Sequence, residues 1–184
     1  MIPHGQNMFM SVEKKYQWER FWCPSDKSYS LADGGFLVDP DSSWGKSLNP
    51  FSVKFQQLSD IPCLILLGEP GMGKTSALEK AYSEFQQNEQ KKKIWFDLRS
   101  YSSDDRLVHE LNSSLEIQEW IKGKYQLTIF FDSLDECLLN VKTVSTVLIE
   151  VLKKWPIDRL GARFGCRSLD WPKLLDEELS VLFG

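Results

Sequence analysis

The stretch 68-GEPGMGKT-75 decides the fold. It follows a continuous apolar run, Cys63–Leu67, of the kind a strand buried on both faces shows. It leads into residues 75–85, which read as a helix. Every fixed position of G-x-x-x-x-G-K-[ST] is filled, in the strand–loop–helix context that gives the pattern its meaning. Gly68, Gly71 and Gly73 permit backbone angles and close approach that a side chain would block. Glu69, Pro70 and Met72 complete the loop, and Ser76 follows it into the helix. Loop N–H groups and the helix N-terminus then point at phosphate oxygens. Lys74 is expected to set its ammonium against the β- and γ-phosphates. The Thr75 hydroxyl is expected to be a Mg²⁺ ligand, with phosphate oxygens and waters completing the octahedron.

Working outward, 129-IFFDSLDE-136 places three acids within five positions. Asp132 follows an apolar run directly and so belongs at the carboxyl end of a buried strand. A carboxylate there is costly to bury without a cation, and it would hold Mg²⁺ through water opposite Thr75. Ser133 is small and leaves room beside a γ-phosphate. Asp135 and Glu136 come three and four residues after Asp132. Either would orient or activate an attacking water, and spacing does not choose between them. Their competing role is to cap the following helix, where acids in a first turn are favoured.

The rest of the chain alternates strand and helix. Runs at 94–98, 127–131 and 162–166 read as further strands. Residues 106–121 carry Leu107, Leu111 and Leu115 at four-residue spacing and read as one amphipathic helix. Residues 141–155 show a helical stripe that Pro156 stops, and 174–182 read as a last helix. Lys91, Lys92 and Lys93 read as a solvated loop before a strand. Four alternations imply a parallel sheet with helices on its faces and ligands at the strands' carboxyl ends. Residues 1–60 differ: they are rich in Trp, Ser, Asp and Pro, with turn signals at Asp33, Gly34, Gly35 and at Asp39, Pro40. They read as an irregular lead-in packed on the core, with short extended pieces such as 35–38. Arg20, Phe21, Trp22, Phe36 and Leu37 suit either an adenine pocket or plain packing.

Composition bounds the function. The 184 residues carry 42% hydrophobic and 26% charged side chains, enough for one soluble domain with its own core. A net charge of −4 gives no electrostatic case for nucleic acid or an anionic membrane. Cys23, Cys63, Cys137 and Cys166 lack metal-ligand spacing and read as free, mostly buried thiols in a reducing compartment. With His4 and His109 the two histidines, a His-based metal site or triad is not expected. The start of the chain has neither a signal peptide nor a membrane span, so the expected location is the cytoplasm.

FFDSLDE, an apolar strand followed by Asp, a small residue, an apolar residue and Asp–Glu, resembles the Walker B motif of the NACHT family, within the STAND class of signalling NTPases. ARFGCRSLDWP resembles the strand-end arginine of the same proteins, the sensor 1 position, and Arg167 matches it. An arginine there contacts the γ-phosphate and reports its presence. Its competing role is an ordinary surface salt bridge. The resemblance covers about residues 61–172, and Arg167, Ser168 and Trp171 point to the bacterial type. It implies an α/β fold, a three-layer P-loop NTPase core with a parallel sheet; over 61–184 about four strands are legible, so the sheet is expected to be incomplete. It also implies ATP or ADP with Mg²⁺, slow hydrolysis that resets a switch, self-association on sensing a trigger ligand, and, in many bacterial relatives, defence against phage.

Two departures from the family qualify that expectation. The helical arm that closes over ADP and the repeat sensor have no counterpart here. The family also pairs the phosphate-loop strand on both sides, so four strands leave Cys63–Leu67 as an apolar edge. The expectation is therefore an N-terminal fragment or a truncated open reading frame of a larger protein. Alternatives are an ordinary P-loop ATPase or kinase, an AAA+-type loader, or a non-enzymatic remnant.

Overall fold

The computed structural model describes residues 19–32 and 37–184. His4, the turn at Asp33, Gly34 and Gly35, and Phe36 lie outside them, so half of the extended piece expected at 35–38 does too.

The lead-in folds into small pieces. Strand β1 (Phe21–Trp22) pairs antiparallel with β2 (Val53–Lys54), and helix α1 (Ser43–Leu48) lies between them in sequence. Ser42 caps α1 by accepting from the Gly45 N–H. The core begins with β3 (Cys63–Leu67), followed by α2 (Lys74–Glu84), β4 (Lys91–Asp97), α3 (Asp104–Ser113) and α4 (Leu115–Lys122). It continues with β5 (Gln126–Asp132), α5 (Leu134–Asn140), α6 (Val144–Leu152), β6 (Leu160–Cys166) and α7 (Lys173–Phe183). The four core strands form one parallel sheet in the order β3-β6-β5-β4.

Strand alternation sorts the side chains into two layers. Ile65, Phe96, Ile129, Phe131, Ala162 and Phe164 join the larger core beneath α3 to α7. Leu66, Trp95 and Phe130 face the other way, onto Ala77 and Leu78 of α2 and onto Trp22 and Phe55 of the lead-in. The result is the expected three-layer core of P-loop NTPase type, with four parallel strands. Register brings the carboxyl ends into line, with Leu67 opposite Cys166 and Asp97 opposite Asp132. Among the described residues β3 has β6 as its single strand partner, so the phosphate-loop strand is an edge.

Three expectations need correction. Residues 106–121 are two helices, not one, because Ser114 ends α3 and caps α4 with its hydroxyl. Leu107 and Leu111 are fully buried, but the break turns Leu115 out to solvent at 68% exposure. Lys91 to Lys93 are not a loop, since they begin β4. Lys93 donates to the Tyr82 and Phe85 carbonyls and so closes the C-terminal end of α2. Finally, the stripe at 141–155 is helical only over α6, although Val141, Leu148, Leu152 and Trp155 are all buried.

One buried cation went unnoticed in the sequence. Arg163, 7% exposed on β6, donates to the carbonyls of Ser59, Pro62 and Ala162. It ties the segment entering β3 to the neighbouring strand. Burial holds its guanidinium below its ordinary pKa.

Candidate functional site

A cleft of about 210 Å³ opens at the carboxyl ends of β3, β6 and β5. It is lined by Pro70, Gly71, Gly73, Lys74 and Thr75 on one side and by Asp132, Ser133, Asp135, Glu136, Gly165 and Arg167 on the other. The two sequence motifs and the strand-end arginine thus converge on one space. Glu69, Met72 and Ser76 belong to the loop and helix but lie outside this lining, as does Gly68 at the foot of the loop.

The loop's shape comes from its glycines. Gly71 and Gly73 have φ of 79° and 85°, the left-handed region, while Gly68 does not. Lys74 folds back over the arch and donates to the carbonyls of Gly68 at 2.7 Å and Glu69 at 3.2 Å. A flexible ammonium held by neutral acceptors is ready to exchange them for a phosphate.

Beneath the loop, the Thr75 hydroxyl donates to Asp132 Oδ1 at 3.1 Å, and the Ser133 hydroxyl meets Oδ2 at 3.2 Å. Asp132 is 2% exposed. β5 does not adjoin β3, so the Asp132 carboxylate must reach across β6 to meet Thr75. Gly165 on β6 makes that possible, because a Cβ there would lie 2.8 Å from Asp132 Oδ1. Sequence reading passed over Gly165, although a glycine inside an apolar strand signals close approach.

Ser133 stands at the turn from β5 into α5 with φ of 61°, the single non-glycine residue in the left-handed region among those described. The turn swings α5 so that Asp135 faces the cleft. Asp135 is 8% exposed, and Arg167 Nε meets its Oδ2 at 2.8 Å. Leu134 and Cys137, both fully buried, fix that end of α5. Glu136 is half-buried beside it. At the end of β4, Arg99 forks onto both oxygens of Asp97 at 2.9 and 2.8 Å. That hydrogen bonding holds the Asp97 carboxyl below the usual range and offsets a second strand-end acid beside Asp132.

The donor set fits a hard divalent cation. A threonine hydroxyl and a buried carboxylate oxygen already adjoin, and both are hard oxygen ligands. Among the described residues no cluster of three or more His, Cys, Asp or Glu side chains stands ready to cage a metal. Thr75 and Asp132 would hold Mg²⁺ together with phosphate oxygens and water, and the ion would neutralise charge on those oxygens.

The lead-in also reaches the loop. Arg20 Nε donates to the Met72 carbonyl at 3.1 Å. Trp22, by contrast, packs edge-to-face on Phe55, with centroids 6.1 Å apart, over Ala77. Packing therefore accounts for most of Trp22, while a smaller cleft lies between Arg20, Trp22, Phe55 and the 76–84 part of α2. All four cysteines are free, and Cys137 and Cys166 are buried. No helix among the described residues is long and apolar enough to cross a membrane.

No protein-family model and no curated protein matches the chain. Among solved structures it is similar to Cdc6p from Pyrobaculum aerophilum, with a TM-score of 0.51 and 16% identity over 70% of this chain. It is also similar to PCH-2 of C. elegans, with a TM-score of 0.38 and 14% identity over 68% of this chain and 35% of that one. The chain spans 42% of the length of Cdc6p. At that identity the likeness is one of fold, and function has to be argued from the cleft.

Proposed function

We propose that this chain is the nucleotide-binding core of an ATP-dependent signalling switch of the NACHT type. The observation that carries the proposal is the convergence of Lys74, Thr75, Asp132, Asp135, Glu136 and Arg167 on one cleft. The phosphate loop supplies N–H donors and an ammonium, and Thr75 with Asp132 supplies the Mg²⁺ oxygens. Asp135 and Glu136 offer carboxylates near the γ-phosphate, and Arg167 offers a guanidinium to compensate its charge. An arginine on the same chain suits a molecule that registers whether the third phosphate is present, since it would compensate that group's charge. Slow hydrolysis then returns the switch to its diphosphate form. The resemblance extends the proposal to self-association, a trigger ligand and a bacterial antiphage role in the cytoplasm.

The test is binding of Mg-ATP to the full-length protein. Lys74→Ala should abolish it, and unchanged binding by that variant would refute the site. The rate of turnover then separates this reading from a second. That second reading is an ordinary P-loop ATPase or kinase, or an AAA+-type loader, for which rapid multiple turnover is the expected outcome.

A further inference from the structure

Asp135 and Arg167 form an unequal pair. Asp135 is the most buried acid in any ion pair among the described residues, and its backbone is fixed at the start of α5 by Leu134 and Cys137. Arg167 follows β6 directly, and its side chain is 43% exposed. The carboxylate is therefore the fixed member and the guanidinium the adjustable one. Their contact runs through Nε, the guanidinium nitrogen nearest the backbone. With the ion pair made at Nε, the two terminal nitrogens of the guanidinium remain for another partner. Both residues line the cleft that holds Lys74 and Thr75.

We propose that Asp135 is a positioning residue for Arg167, aiming its terminal nitrogens at the third phosphate, and that handling of the attacking water falls to Glu136. This rests on the nucleotide-binding reading above. Asp135 Oδ2 is already occupied by the guanidinium, which leaves that acid less room to hold a water. Glu136, on the same helical turn and half-buried in the cleft, is not engaged by Arg167. The two adjacent acids thus divide the work: Asp135 sets how strongly the site prefers a triphosphate, and Glu136 sets how fast the triphosphate is lost.

The test is equilibrium binding of Mg-ADP and of the Mg complex of a non-hydrolysable β,γ-imido ATP analogue to the full-length protein. For wild type, the ratio of the two affinities measures triphosphate preference. Arg167→Ala should lower that ratio about tenfold, the usual scale of one charge-assisted contact. Asp135→Asn should lower it nearly as far, with Mg-ADP affinity changed less than about twofold. Combining the two should add little, and Asp135→Glu should recover part of the ratio. Arg167→Lys keeps the charge but loses the fork, so it should behave like Asp135→Asn and serves should that variant fail to fold. Glu136→Gln should leave the ratio intact while stopping hydrolysis. An Asp135→Asn protein that binds both nucleotides with an unchanged or raised ratio overturns the positioning role alone. A wild type that binds neither nucleotide, like Lys74→Ala, overturns the site reading and the positioning role with it.

Discussion

Gly73 and Arg20 are in direct contact: a Cβ on Gly73 would lie 1.9 Å from Arg20 Nε and 2.3 Å from its Cζ. The lead-in is therefore seated on the phosphate loop, and Gly73 meets two demands at once. Its φ of 85° calls for a residue without a Cβ, and so does the guanidinium laid against it. Gly71 meets only the first, since a Cβ at its φ of 79° would point into open space.

That difference makes a prediction. Gly71→Ala should cost about 1–2 kcal/mol of stability, the price of a left-handed alanine. Gly73→Ala should cost more, because Arg20 must also leave the Met72 carbonyl, a bond worth about 1 kcal/mol. With Arg20→Ala as the background, the two glycine substitutions should cost nearly the same. Urea unfolding of the five variants checks this as a double-mutant cycle. An excess cost at Gly73 that survives Arg20→Ala would mean the lead-in does not brace the loop.

Buried thiols should make the protein fragile in alkali. Burial pushes Cys166 up to about 12 and Cys137 up to about 11, from an ordinary 9.0. Below the ordinary value both folded and unfolded chains keep the proton, so this contribution to stability is fully present. Above it the unfolded chain ionises while the folded one does not. Stability should therefore fall from about pH 9 upward, by about 1.4 kcal/mol per pH unit for each thiol, until the folded values are reached. Unfolding free energies at pH 8, 9, 10 and 11 for wild type and Cys166→Ala isolate the thiol from lysines and tyrosines titrating nearby. Equal slopes for the two proteins would show that Cys166 ionises in the folded state as freely as in the unfolded one.

Much of this architecture was legible because its signals are local. Cys63–Leu67 and the loop after it combine an apolar run with fixed glycines, so strand, arch and helix follow from neighbours in sequence. Asp132 was legible for a similar reason, as an acid abutting three apolar residues. The misses depend on distant partners. Lys93 looks solvated until α2 is seen to end beside it, and Gly165 matters only because Asp132 must pass over it to reach Thr75. The Leu107, Leu111 and Leu115 stripe failed for a local reason, since Ser114 offers α4 a cap that outweighs continuing one helix. Arg20 was weighed as a neighbour of a purine, but its hydrogen bond to the Met72 carbonyl required the loop's fold to be known.

The buried Asp132 sets function against stability. Among the described residues its carboxylate meets the hydroxyls of Thr75 and Ser133 and no ion-paired cation. Burying a charge on hydroxyls alone is unfavourable, and the cation that would offset it arrives only with nucleotide. Asp132→Asn keeps an acceptor for Thr75 and removes the charge, so the nucleotide-free variant should be as stable as wild type or more so, within about 1 kcal/mol. The same change should remove most of the Mg²⁺ dependence of nucleotide binding. Thermal melting with and without MgCl₂, alone and with ADP, reads both effects. Wild type should gain stability from MgCl₂ only when ADP is present, and Asp132→Asn should gain little in either case. A variant that melts well below wild type without nucleotide would make Asp132 a structural acid, and an unaltered Mg²⁺ response would move the metal away from Thr75 and Asp132.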